Sequence, residues 1–90
     1  MPSADEIIHV LSIVDGLSEE TVGFVTFQSF AASEFQLQFD VDPKQDPLML
    51  DRYAVGPDDV FFLEKYLEGE VIFDFARFAY FIEAVRDDQR

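Results

Sequence analysis

The chain has 90 residues, nineteen of them Asp or Glu against six Lys or Arg, for a formal net charge of −13, and it contains no cysteine. Such a charge repels nucleic acid and anionic membrane and attracts basic surfaces. The missing thiols exclude disulfides, thiolate metal sites and thiol nucleophiles. A hydrophobic share of 49% with 16% aromatics is the reverse of a disordered acidic tail, so a single folded acidic domain over residues 1–90 is expected.

Ser3-Ala4-Asp5-Glu6 has capping-box spacing, and Ile7, Val10, Leu11 and Val14 follow at helical intervals before Gly16. This predicts a helix over about 4–15. The run Val22–Phe30 is rich in β-branched and aromatic residues and reads as a strand, although Ser18–Thr21 also fits a helix cap. Phe35, Leu37, Phe39 and Val41 alternate strictly with polar residues, which predicts a half-buried strand joined to the previous one through Ala31–Glu34. Pro43 and Pro47 make the following segment a loop, and Leu48–Val55 reads as a third strand at an edge.

Gly56-Pro57-Asp58-Asp59 starts a helix carrying Val60, Leu63 and Leu67. In the last stretch, about 70–87, Val71, Phe75, Phe78, Ile82 and Val85 are spaced by four and three, predicting a final helix. That stretch is apolar on a second side as well, through Phe73, Ala76 and Tyr80. A homodimer through this C-terminal helix is therefore expected. The resulting fold class is α+β: an N-terminal helix, a two- or three-stranded antiparallel sheet and two C-terminal helices. The alternative is an all-α fold in which 18–32 is helical.

Asp5, His9 and Ser12 fall at i, i+4 and i+7 of the predicted first helix. A working triad also needs an oxyanion hole and a pocket, neither of which the neighbouring residues suggest, so they read as a solvated polar face and no enzyme activity is expected. Asp40, Asp42, Lys44, Asp46 and Asp51 occupy positions 1, 3, 5, 7 and 12 of an EF-hand-like count, but a Lys at 5, a Gln at 6 and an Asp at 12 break the pattern. No metal or cofactor is expected. The four glycines are scattered and the six basic residues do not cluster, which argues against phosphate cradles and direct nucleic-acid binding. The N-terminus lacks the basic region of a signal peptide, and no apolar run suffices to span a bilayer; a cytoplasmic protein that binds no membrane is expected.

What remains is the acidity itself, which fits specific binding, a salt-rich cytoplasm, or plain solubility. The expected function is that of a small acidic binding protein. It would inhibit or modulate a partner whose basic surface normally holds nucleic acid, as phage inhibitors, DNA mimics and nuclease immunity proteins do. The expected partner-binding residues are Asp40, Asp42, Asp46 and Asp51 on the strand and loop, and Asp58, Asp59, Glu64 and Glu68 on the following helix. Tyr53 and Tyr66 would be aromatic anchors. The alternative is a non-catalytic structural or regulatory domain from a high-salt cytoplasm.

Overall fold

A computed structural model describes residues 7–86. Strands come first: β1 (Ile7–Asp15), β2 (Thr21–Thr26), α1 (Ala32–Gln38), β3 (Tyr53–Val55), a 3-10 turn at Pro57–Asp59 running into α2 (Val60–Glu64), and β4 (Phe78–Arg86). The strands form one four-stranded antiparallel sheet in the order β2-β1-β4-β3. This overturns the expected N-terminal helix, the two- or three-stranded sheet, the C-terminal helix and the all-α alternative.

The first and last strands lie side by side at the centre, paired from Ile7–Arg86 to Asp15–Phe78. That position explains why the helical reading of 4–15 fails. A central strand meets apolar neighbours on both faces, so its apolar residues need not alternate. In β1, Val10, Leu11, Ser12 and Val14 are all buried. Its β-branched residues also favour the extended chain, where χ1 is less crowded. The proposed Ser3–Glu6 cap lies outside the described residues.

The predicted strand at 35–41 is instead α1. Phe35 and Phe39 are four apart and share a helix face toward the core, whereas Leu37 is 85% exposed. Alternation and helical periodicity coincide at positions 35 and 39, and Leu37 supported the wrong period. The helix ends with Asp40 in the left-handed region, φ 56°. The Val41 amide returns to the Gln36 carbonyl at 2.8 Å, the longer bond of a Schellman closure. The expected hairpin between 22–30 and 35–41 is accordingly absent: β2 pairs with β1, and the end of its outer edge meets residues 66–68 through a Phe27–Leu67 bridge.

The predicted C-terminal helix divides in two. Residues 70–77 are irregular, with Val71, Phe73 and Phe75 turned to the core while Ile72 is exposed. β4 then begins at Phe78. Its two-sided apolar character reflects a central strand, so the helical surface invoked for a homodimer does not exist.

One face of the sheet carries Leu11, Tyr80, Ile82 and Val55, packed against Phe35, Met49, Leu63 and Leu67 from the helices and loops. Gly16 serves a close approach: its amide donates to the Arg77 carbonyl at 3.0 Å, and a Cβ there would lie 2.9 Å from the same oxygen. Gly16→Ala is expected to destabilise the fold by about 1–3 kcal/mol through overpacking. Gly69→Ala, where a Cβ meets nothing within 4 Å, should change stability far less. Urea unfolding of the two variants checks this.

Candidate functional site: an acidic concavity at the end of α1

Residues 40–53 wrap into a loop that returns from α1 to the edge strand β3. Asp46 organises it. One carboxylate oxygen accepts the Leu50 amide at 2.8 Å, and the other accepts the Asp51 amide at 3.1 Å and the Tyr53 hydroxyl. These bonds span a segment in which Met49 sits at φ 51° with its side chain fully buried. From the sheet side, His9 places its Nε2 3.0 Å from both the Leu48 and Met49 carbonyls and stacks on Phe30 at 3.8 Å. Gln36 donates to the Asp46 and Pro47 carbonyls at 3.3 and 3.1 Å.

The loop encloses a shallow concavity of about 320 Å³ lined by Asp40, Val41, Asp42, Gln45, Asp46, Asp51 and Tyr53. No basic side chain lines it. Its carboxylates are not equivalent. The Tyr53 hydrogen bond and then the Leu50 amide hold the Asp46 carboxyl below its ordinary value of 3.8, so it stays ionised and engaged. Asp42 gives one oxygen to the Lys44 amide at 2.9 Å. Asp40 and Asp51 are exposed and are the residues best placed to meet a cation. Tyr53 is pushed up to about 12 by burial and then by its bond to Asp46.

The remaining expected residues lie elsewhere. Glu64 and Glu68 line a second, larger concavity of about 590 Å³ with Leu67, Gly69, Glu70, Val71 and Ile72. Glu68 also accepts the Thr26 hydroxyl. Glu70 belongs to this group and was not anticipated. Asp59 is structural: it accepts the Gly56 amide and the Gln38 side-chain amide, both at 2.8 Å, tying the start of α2 to α1. Asp58 is exposed and lines neither concavity.

The two tyrosines are not free anchors. Both are partly buried and pack against the core. The Tyr53 hydroxyl is held by Asp46, and the Tyr66 hydroxyl donates to Glu34 at 2.6 Å. Because His9 and Ser12 differ by an odd number of positions along β1, they project from opposite sheet faces. Asp5 lies outside the described residues. Among the described residues, no group of three His, Asp or Glu side chains has the geometry to hold a metal ion, and no helix is long and apolar enough to cross a membrane.

A model of a family described as a domain of unknown function, DUF7683, matches residues 8–83. The chain belongs to this family. The matched DUF7683 region runs from β1 into β4 and includes both acidic concavities. No curated protein and no solved structure matches the chain.

Proposed function

We propose that this DUF7683 protein is a non-catalytic acidic binding protein that inhibits or modulates a partner with a basic surface of the kind that holds nucleic acid. The observation that carries the reading is the concavity in which Asp40, Asp42, Asp46 and Asp51 line one hollow with no basic side chain among its lining residues. Asp46 is held by the loop itself, so it fixes the shape while Asp40 and Asp51 present free carboxylates. Lysine or arginine groups that normally bind phosphate would meet these oxygens instead, making the mechanism one of competition. The net charge of −13 steers encounter and makes association fast and salt-sensitive.

The spread of the acids favours one second reading, a structural or regulatory domain of a salt-rich cytoplasm. Asp58 and Glu34, for example, are exposed away from the concavity. Two measurements separate the readings. Unfolding followed against salt should find the acidic binder folded in ordinary buffer, whereas a salt-adapted domain unfolds at low ionic strength and gains stability steeply toward molar salt. Capture from a native-host lysate should retain a basic protein on the wild-type chain. Asp40→Asn combined with Asp42→Asn and Asp51→Asn should slow that association by about ten-fold or more. Asp40→Asn is suited to this use because Asn tolerates the left-handed conformation found there. Unfolding in low salt together with capture of no basic partner defeats the proposal.

A further inference from the structure

The two edges of the sheet are guarded differently. β3 runs only three residues, with Asp51 and Arg52 before it and Pro57 just beyond it. Short length, charge and proline are the usual protection of an edge against pairing with another chain. β2 runs six residues, Thr21–Thr26, with no charge and no proline, in a chain that is 28% charged. None of the six is buried, and Val22 and Phe24 are 57% and 46% exposed. The register slips between Ile13 and Val14 and leaves Val22 as the extra residue, so the regular edge is Gly23–Thr26. The Thr26 carbonyl accepts the Glu68 amide at 3.0 Å across the outer edge. Alternation along the strand therefore turns the Phe24 amide and carbonyl outward too, and those of Val25 toward β1. Among the described residues, no backbone hydrogen bond beyond the strand pairing engages Thr21–Val25.

We propose that the outer edge of β2 is a docking site for an extended strand of a partner protein, paired through the backbone and flanked by lysine or arginine. Main-chain hydrogen bonds to the outward Phe24 groups would hold such a strand, and its alternate side chains would meet Val22 and Phe24. Charge selects the occupant. The edge begins after Glu19 and Glu20, both exposed. At its other end it meets Glu68, which with Glu64 and Glu70 borders a hollow with no basic side chain among its lining residues. A strand with a basic residue at each end therefore meets carboxylates at both. A second copy of the chain is disfavoured. Antiparallel pairing of β2 with itself would set Glu19 and Glu20 of one copy against Glu68 and Glu70 of the other. β2 and β3 are opposite edges of the sheet, and the acidic concavity lies at β3, so either site can fail without the other.

The test titrates the isotope-labelled full chain with a synthetic peptide of about seven residues, alternating valine and threonine between terminal lysines. Amide shifts should concentrate on β2. Hydrogen exchange at the Phe24 amide should slow at least about tenfold, while Val25, which faces β1, changes little. Two N-methylated versions, blocked at alternate amides, read the backbone pairing without altering the protein. One should bind like the parent and the other at least about tenfold more weakly. Glutamates in place of the terminal lysines should also weaken binding at least about tenfold. Val22→Lys, which guards the edge, should weaken it, and Leu37→Lys, an equal change of charge on α1, should not. No shift at about 1 mM peptide overturns the proposal. So does equal binding of the two methylated versions, or of the lysine and glutamate peptides. Shifts centred on Asp40–Tyr53 overturn it and leave the concavity reading intact. Sedimentation as a dimer that Val22→Lys dissociates would assign the edge to a second copy and also overturn it.

Discussion

Phe35→Ala is expected to lower the unfolding free energy by about 3–5 kcal/mol, a large share of the roughly 5–15 kcal/mol available to a domain of ordinary stability. Phe35 is fully buried. Its ring centroid lies 4.2 Å from Phe30, 4.9 Å from Phe62, 5.1 Å from Tyr66, 5.4 Å from Phe27 and 6.4 Å from Phe39. Truncation removes the ring on which five others converge and leaves a cavity that no single neighbour can fill. Leu37→Ala, two residues along, should cost no more than about 0.5 kcal/mol because Leu37 is exposed on the helix surface. The pair discriminates between local structures: a strand with alternate residues facing inward would make both changes costly, whereas α1 separates them. Urea unfolding of the two variants measures the difference.

Asp46→Ala is expected to cost about 1–3 kcal/mol, since it deprives two backbone amides and the Tyr53 hydroxyl of their acceptor. The pH dependence carries a sign. The carboxyl is held below its ordinary value of 3.8, chiefly by Tyr53 and then by the Leu50 amide. Its contribution is therefore fully present above that value and is lost as acidification passes through the lowered one. Wild-type stability should fall on acidification below about pH 4, and Asp46→Asn should flatten part of that fall. Asp15 contributes in the same direction, because the Ser18 and then the Leu17 amides lower it. At the alkaline end, Tyr53 should ionise near 12 in the wild type and lower in Asp46→Asn, which removes the hydrogen bond and the adjacent charge but leaves the larger effect, burial, in place. Ultraviolet titration of tyrosinate reads this directly.

The acidic loop was more legible in the sequence than the fold that carries it. Pro43 and Pro47 between alternate aspartates mark a turn-rich acidic segment, and Asp40, Asp42, Asp46, Asp51 and Tyr53 do line one hollow. The unequal roles within it were not legible, because they depend on which carboxylate meets the Leu50 and Asp51 amides once the chain has folded. The central strands were misread for a related reason. Ile7, Val10, Leu11 and Val14 satisfy a helical period, yet Ile8 and Ile13 are apolar too, as a strand packed on both faces requires. The partner that makes β1 a strand, β4, lies at the other end of the sequence, where no local pattern announces it. Val71, Phe75, Phe78, Ile82 and Val85 mimic a heptad seam by combining an irregular segment with a strand. The alternation of Val71, Phe73 and Phe75 was the available signal against a helix.

The competition mechanism is tested most directly by displacement. The basic protein captured by the wild-type chain is loaded with a fluorescent nucleic acid, and the acidic protein is titrated in at low and at raised salt. Wild-type protein should release the nucleic acid at stoichiometric addition in low salt and progressively less as salt rises, while the Asp40→Asn, Asp42→Asn and Asp51→Asn combination should require at least about tenfold more protein. A ternary complex that retains the nucleic acid, or equal displacement by wild type and variant, would contradict the account.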